Sequence, residues 1–145
     1  MERLINLRFE NKVVLVTGSS TGIGRATAIE FAEEGAIVIV NCLKNIDKAK
    51  MVVGEIEKSG GKAYFVKCNI ADEKQVVGMV NKIVGKSGRI DILINNAGIT
   101  KQSQFLELTL AGFQKTLDTN LLGTFLCLKH VAKAMISHNS VVDGV

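Results

Sequence analysis

The stretch VVLVTGSSTGIG, residues 13–24, runs from a short apolar segment through three glycines into a helical pattern. Gly18 permits a tight turn at the end of a strand, Gly22 lets a ligand approach the backbone, and Gly24 lets the helix pack closely on a sheet. Free N–H groups at the helix start, with the positive end of the helix dipole, favour a diphosphate, and Ser19, Ser20 and Thr21 add hydroxyl donors. A glycine-rich turn without a ligand is the alternative, and we favour the ligand because a strand and a helix flank the glycines.

The spacing of the glycines separates this motif from two other phosphate-binding motifs. A P-loop ends in Gly-Lys-Ser/Thr, whereas Gly24 is followed by Arg25. The standard dinucleotide fingerprint is Gly-x-Gly-x-x-Gly, whereas residues 18–24 read Gly-x-x-x-Gly-x-Gly. The motif therefore predicts a nucleotide site whose glycine spacing differs from that of both motifs.

Short apolar runs alternate with longer amphipathic stretches along the chain. Four runs are short and rich in β-branched residues, as is typical of strands covered on both faces: Val13–Thr17, Ile37–Asn41, Ala63–Lys67 and Ile90–Asn95. Four segments have the length and pattern of helices: Ile23–Glu34, Asp47–Ser59, Glu73–Ser87 and about Thr109–Ser137. This alternation predicts parallel strands with right-handed crossovers. We expect residues 1–145 to form a single α/β domain with an incomplete, doubly wound, Rossmann-like sheet. The sheet is expected to have four strands, and part of a fifth strand is an open alternative.

Charge and hydropathy argue against nucleic-acid and membrane functions. The 18 basic and 14 acidic residues are scattered along the chain, whereas a nucleic-acid binder usually clusters basic residues on one face. The longest apolar runs are too short to cross a bilayer, and charged residues interrupt residues 1–10, unlike a signal peptide. We expect a cytoplasmic protein.

The cysteines and histidines do not have the spacing of a metal site. The three cysteines lack any Cys-x-x-Cys or Cys/His spacing, which predicts buried reduced thiols at Cys42, Cys68 and Cys127. His130 and His138 stand apart from other ligand types and are predicted to lie on the surface. We expect no metal.

Three motifs in order resemble those of the short-chain dehydrogenase/reductase family. TGSSTGIG at residues 17–24 is similar to its glycine motif, DILINNAGI at residues 91–99 to its fourth strand, and LDTNLLGTF at residues 117–125 to the helix that follows. The resemblance covers residues from about Phe9 to Ile136, and 3-oxoacyl-carrier-protein reductases and glucose dehydrogenases look most similar. It implies an NAD(P)-dependent oxidoreductase that transfers hydride between the cofactor and a small carbonyl or hydroxyl substrate.

The resemblance also assigns cofactor contacts to particular residues. It places the diphosphate and its ribose against Gly18, Ser20, Thr21, Ile23 and Gly24, the adenine against Asn69 and Ile70, and the nicotinamide ribose against Asn96, Ala97 and Gly98. Many relatives have Asp where Asn69 stands, but an amide oxygen can still accept from the adenine amino group. For Asn95, a structural role in which the side chain ties neighbouring strands together is an alternative of equal weight to a cofactor contact.

The residues after the second strand favour NADP over NAD. An NAD-specific site usually has an acidic residue there, bonded to the ribose 2′-hydroxyl, whereas residues 40–46 contain none. Lys44 would attract a 2′-phosphate. An ordinary solvated lysine at the entry of a helix is the other interpretation of Lys44.

The catalytic set that the resemblance implies is only partly present. The family uses a tyrosine as general acid, a lysine four residues later, a serine and an asparagine, of which Asn120 carries over. No Tyr-x-x-x-Lys occurs, and Tyr64 is the only tyrosine. Residues 140–145, SVVDGV, are interpreted as the start of a fifth strand or as the turn that carries the serine. We therefore expect a truncated oxidoreductase with absent or weak activity.

A non-catalytic module that binds dinucleotide or associates with itself is the alternative function. The last helical segment is apolar on more than one face, through Leu121, Leu122, Phe125, Leu126 and Leu128. Such a helix predicts a homo-oligomer or a chain prone to aggregation.

Overall fold

Four parallel strands form one sheet in the computed structural model, which describes residues 7–100 and 102–142, with side-chain environments up to residue 138. The strands are β1 (Val13–Val16), β2 (Ile37–Cys42), β3 (Lys62–Lys67) and β4 (Ile92–Ile94). Their order across the sheet is β3-β2-β1-β4, and each neighbouring pair is parallel. The predicted α/β class with a parallel sheet is confirmed.

Helices connect the strands and continue beyond β4. They are α1 (Gly22–Glu33), α2 (Ile46–Lys58), α3 (Glu73–Ser87), a 3₁₀ turn (Phe105–Glu107), α4 (Leu110–Leu117), a π-helical turn (Asp118–Leu122) and α5 (Gly123–Val142). None of the helices among the described residues is long and apolar enough to span a bilayer.

The two faces of the sheet bury separate cores because side chains alternate along each strand. Val13 and Leu15 of β1 belong to the core on the side of α3 and α5. Val14 and Val16 belong to the core on the side of α1 and α2. Helices on both faces make the sheet doubly wound, as predicted.

The last helical segment differs from its prediction in two ways. A continuous helix was expected from about Thr109 to Ser137, whereas the π-helical turn separates α4 from α5. Residues 140–142 continue α5, so the described residues show neither the start of a fifth strand nor a catalytic turn at Ser140. Residues 143–145 lie outside the described residues.

β4 is shorter than the predicted run Ile90–Asn95, and side-chain hydrogen bonds join the backbone bonds at both of its ends. Before the ladder register begins at Ile92, the N–H of Asp91 donates to the carbonyl of Val13 at 2.9 Å, and the Asp91 carboxylate accepts from the N–H of Val13 at 2.8 Å. After Ile94, the N–H of Asn96 donates to the Thr17 hydroxyl at 3.0 Å instead of to a strand carbonyl.

The predicted buried thiols are confirmed, and both histidines are partly exposed. Cys42, Cys68 and Cys127 are free and buried, and burial raises the pKa of Cys68 to about 12 and that of Cys127 to about 11. His130 and His138, both expected on the surface, are half-buried, and Nε2 of His130 lies 2.8 Å from Oε1 of the exposed Glu73. No group of three or more potential ligands among the described residues is arranged to hold a metal ion.

Candidate functional site

The carboxyl ends of the four strands lie at one edge of the sheet because the strands are parallel. The loop of residues 17–21 follows β1 at this edge and leads into α1. Residues 43–45 follow β2, residues 68–72 follow β3, and residues 95–98 follow β4. The topology thus brings together the three predicted cofactor segments.

Gly18 shapes the loop from the inside. Its φ is +63°, and a Cβ added to it would lie 2.8 Å from the Cα of Ala97. Its N–H donates to Oδ1 of Asn41 at 3.1 Å. Gly18 therefore allows the turn and close packing, while its N–H is already bonded within the protein.

Ser19 also faces inward, unlike the ligand donor expected from the sequence. Its side chain is buried, and its hydroxyl donates to the carbonyl of Val16 at 2.7 Å. The same hydroxyl accepts from the N–H of Asn41 at 3.1 Å. Of the predicted hydroxyl donors Ser19, Ser20 and Thr21, those of Ser20 and Thr21 remain as candidate donors to a ligand.

The first turn of α1 is open. Thr21 is the N-cap residue, its side chain makes no capping hydrogen bond, and the turn carries no acidic residue. Gly22 has a φ of +58°, and no atom lies within 4 Å of where its Cβ would be. The N–H groups of Gly22, Ile23 and Gly24 precede the first intrahelical bonds, so this turn suits an anion.

Asn96 ties the end of β4 to the glycine loop. Its side-chain amide donates to the carbonyls of Thr17 at 2.9 Å and of Gly18 at 3.2 Å. A Cβ on Gly24 would collide with this amide and would lie 2.7 Å from the carbonyl oxygen of Gly18. The tie between strands that was considered for Asn95 thus belongs to Asn96, and the side chain of Asn95 is exposed.

The two residues predicted to meet adenine are held differently. Oδ1 of Asn69 accepts from the N–H of Ala71 at 3.1 Å, which uses one lone pair of that oxygen. Ile70 is 5 % exposed, and a Cβ on Gly123 would lie 2.7 Å from its Cδ1. The side chain of Ile70 therefore packs beneath α5, and Asn69 remains at the edge.

Asn120 lies beside the segment predicted to meet the nicotinamide ribose. Its Oδ1 accepts from the N–H of Ile99 at 2.8 Å, and its Nδ2 donates to the carbonyl of Ile99 at 2.9 Å. A Cβ on Gly98 would lie 3.3 Å from Oδ1 of Asn120. The hydroxyl of Thr124 donates to the Asn120 carbonyl at 2.8 Å. Asn120, inside the π-helical turn, thus fixes the backbone after β4.

Tyr64 is remote from these groups. It lies on β3, and its hydroxyl is 2.8 Å from that of Ser87 at the end of α3, where the amino ends of the strands lie. The ammonium of Lys86 is 3.9 Å from the centre of its ring. Burial raises the pKa of Tyr64, so the phenol stays protonated where no ligand of the opposite edge can reach it.

Two buried polar residues of the site, Thr17 and Asn41, were not singled out from the sequence. Thr17 is fully buried, and its hydroxyl accepts from the N–H groups of Asn96 and Ala97 at 3.0 Å each. Asn41 forms the contacts with Gly18 and Ser19 described above. The signal available was a polar residue within or directly after a strongly apolar strand, because buried polar groups need partners.

Known proteins resemble this chain in sequence and in fold. Residues 12–142 match the family described as short chain dehydrogenase. A 3-oxoacyl-[acyl-carrier-protein] reductase of Synechocystis sp. is 43 % identical over 129 residues, which cover 89 % of this chain and 52 % of the relative.

Solved structures give the same assignment of fold. A short-chain type dehydrogenase/reductase of Mycobacterium marinum matches with a TM-score of 0.87 and 39 % identity, over 94 % of this chain and 55 % of its own. A short chain dehydrogenase of Burkholderia cenocepacia in complex with NADP matches with a TM-score of 0.84 and 34 % identity, over 88 % and 52 %. This chain spans about half the length of the relatives it matches.

Proposed function

Because the chain belongs to the short-chain dehydrogenase family, we propose that it binds a nicotinamide dinucleotide, NADP in preference to NAD, at the carboxyl edge of its sheet. The open first turn of α1 carries this proposal. This turn has N–H groups without a side-chain cap and carries no acidic side chain. No atom lies within 4 Å of where a Cβ of Gly22 would be. These features suit a diphosphate.

Each segment of the edge has a part in this proposal. The N–H groups of Gly22, Ile23 and Gly24 hold the diphosphate, with the hydroxyls of Ser20 and Thr21 beside them. Ile23 is 81 % exposed, so it offers an apolar surface next to the bound nucleotide. Gly18 supplies shape rather than a donor, since its N–H is bonded to Asn41.

The other two segments receive the two ends of the dinucleotide. Asn69 remains at the edge for the adenine. Asn96, Ala97 and Gly98 lie beside the nicotinamide ribose, with Asn96 acting through its bonds to the loop. Ile70 contributes packing beneath the site rather than a side-chain contact.

Charge supports the preference for NADP. Lys44 is exposed in the short connection between β2 and α2, at the same edge as the open turn. No acidic residue stands between residues 40 and 46 to repel a 2′-phosphate. The matching Burkholderia cenocepacia structure is a complex with NADP.

We also propose hydride transfer to or from a small carbonyl or hydroxyl substrate as the reaction of the whole protein. The bound dinucleotide supplies or accepts the hydride. Asn120 holds the Gly98–Ile99 backbone in place beside it. Carbonyl reduction also needs a proton donor, and the only tyrosine, Tyr64, lies at the opposite edge. The 145 residues alone should therefore bind the cofactor with little or no turnover.

Titration of the 145-residue chain with NADPH and NADH, followed by nicotinamide fluorescence and calorimetry, tests this proposal. We expect NADPH to bind more tightly, and Lys44→Ala to weaken NADPH alone. Lys50→Ala, an exposed lysine farther along α2, is the matched control. Absence of binding by both dinucleotides would refute the proposal. Carbonyl-dependent oxidation of NADPH at a substantial rate would refute the proposed lack of a proton donor.

Self-association is a second candidate function, favoured by the exposed apolar face of α4, the π-helical turn and α5. Leu121, Phe125 and Leu128 are 67 %, 55 % and 57 % exposed. Leu126 is the exception, buried against the sheet at 4 %. Light scattering after size exclusion should show a dimer or larger species for the native chain and a smaller species for Phe125→Glu. A monomer at high concentration would exclude this function.

A further inference from the structure

Asn41, near the carboxyl end of β2, is a buried polar residue that the dinucleotide contacts proposed above do not include. It is 2 % exposed within an otherwise apolar strand. Its side-chain oxygen accepts from the N–H of Gly18 at 3.1 Å. Its side-chain nitrogen donates to the carbonyls of Val66 and Cys68, each at 3.3 Å.

These partners fix the orientation of the Asn41 amide. The N–H of Gly18 can only donate, and the carbonyls of Val66 and Cys68 can only accept. An acceptor on one side and a donor on the other are therefore both required, which an amide supplies. A carboxylate would satisfy Gly18 but would turn its second oxygen towards two carbonyl oxygens in a buried site.

The Asn41 backbone strengthens the same junction. Its N–H donates to the hydroxyl of Ser19 at 3.1 Å, and its carbonyl accepts from the N–H of Ser19 at 2.9 Å. The neighbouring carbonyl of Cys42 accepts from the N–H of Cys68 at 2.9 Å. One residue thus joins the loop after β1 to the last residues of β3 and to Cys68, directly before Asn69.

We infer that Asn41 is a positioning residue that holds the diphosphate loop and the adenine-side segment at the spacing of a nucleoside diphosphate. This inference rests on the proposed dinucleotide function. The loop after β1 and residues 68–70 would each engage one end of such a ligand, and Asn41 is bonded to both. Its contribution is therefore largest for ligands that bridge the two segments.

Ligands of increasing length test this inference. NADPH and ADP bridge the two segments, whereas adenosine reaches the adenine side alone, and all three are titrated by NMR. Because a buried donor and two acceptors lose their partner, Asn41→Ala should weaken NADPH and ADP about tenfold. The affinity for adenosine should change less than about threefold. Asn41→Asp should weaken NADPH and ADP binding at least as much at neutral pH, although its carboxylate can still accept from the N–H of Gly18.

Tyr64→Phe is the matched control because it removes one hydrogen bond, that to Ser87, from the opposite edge of the sheet. It should leave the affinities for all three ligands unchanged while lowering thermal stability, by less than Asn41→Ala does, because it removes one hydrogen bond rather than three. Native NADPH affinity in Asn41→Ala or Asn41→Asp, or an equal loss for adenosine and ADP, would overturn the inference. If no ligand binds the native chain, the proposed function itself fails.

A measurement on the native chain covers variants that fail to fold. The N–H of Gly18 should exchange slowly with solvent before any ligand is added, since Asn41 already accepts its hydrogen bond. The N–H groups of Gly22 and Ile23 should exchange quickly and become protected when ADP is added. Fast exchange at Gly18 in the free protein would contradict the role of Asn41.

Discussion

Helices α1 and α3 begin at the same edge of the sheet, yet their first turns are completed in opposite ways. At α3, the carboxylate of Asp72 accepts from the N–H of Gln75 at 3.1 Å and from its side-chain amide at 2.9 Å. Glu73 adds an acidic group to that turn. At α1, Thr21 makes no side-chain capping bond and no acidic residue follows.

This difference indicates which of the two helix starts binds a ligand. A helix start that carries its own carboxylates already has its donors and dipole satisfied, so it stabilises the fold and repels phosphate. A helix start without them keeps its donors for a group from outside. The strand order alone does not distinguish the two helices, whereas the side chains of their first turns do.

An acidic residue in the first turn of α1 should make this turn resemble that of α3, and it should have the largest effect on NADPH affinity. Ile23→Glu puts a negative charge at an 81 % exposed position beside the proposed diphosphate. Like charges in close contact are costly, so NADPH affinity should fall about a hundredfold, while thermal stability is kept or slightly raised. Ile23→Gln, of similar shape but neutral, is the control. Equal affinities of the two variants would show that charge in this turn does not matter.

A methyl group at Gly22 should have the next largest effect. Gly22 and Gly88 both have positive φ, +58° and +80°, and neither has an atom within 4 Å of where a Cβ would be. Gly22→Ala and Gly88→Ala should thus each cost about 1–2 kcal/mol of folding free energy through backbone strain. Gly22→Ala alone should weaken NADPH, by about tenfold, in calorimetric titrations. If Gly88→Ala weakens binding equally, strain rather than blocked approach is the cause.

The fold was predictable because its signals are local. Short β-branched runs bounded by glycines predicted four strands, and alternation with amphipathic segments predicted their parallel arrangement. The prediction was less accurate where long-range side-chain bonds lie at the end of a strand. β4 begins at Ile92 rather than Ile90, directly after Asp91, which bonds to Val13, 78 positions away, through both its N–H and its carboxylate.

The site was predictable in its position but not in its inner contacts. The glycine spacing located the loop, and the carboxyl ends of the strands located its surroundings. The bonds from Gly18 to Asn41 and from Asn96 to Thr17 span 23 and 79 positions, so no local pattern indicates them. The π-helical turn around Asn120 was likewise not predicted, since the residues on both sides of it share one continuous helical pattern.

Removal of the cap of α3 should affect stability and leave binding unchanged. Asp72→Ala deletes the acceptor for the N–H of Gln75, so the thermal midpoint should fall by about 2–5 °C. NADPH affinity should stay at the native value, because the proposed diphosphate lies at α1. Thr109→Ala is the matched control, since Thr109 accepts from the N–H of Gly112 at 3.1 Å at the start of α4. A selective loss of NADPH binding in Asp72→Ala would move the anion site towards α3.

Acid should destabilise the start of α3, which carries two carboxylates, but not the start of α1, whose first turn has no acidic residue. This loss of thermal stability is the smallest effect we expect. The bond between the Gln75 backbone and Asp72 lowers the pKa of that carboxyl, and the bond with His130 lowers the pKa of Glu73. A lowered folded-state pKa gives stabilisation that is fully present above the unfolded-state pKa of a carboxyl group, about 4, and that is lost as pH falls through the lower folded-state pKa. The thermal midpoint of the native chain should therefore decline more between about pH 5 and pH 3 than that of Glu73→Gln. Identical pH profiles of the two proteins would show that the bonds of Glu73 to α5 contribute nothing, and the contrast between the helix starts would then rest on Asp72 alone.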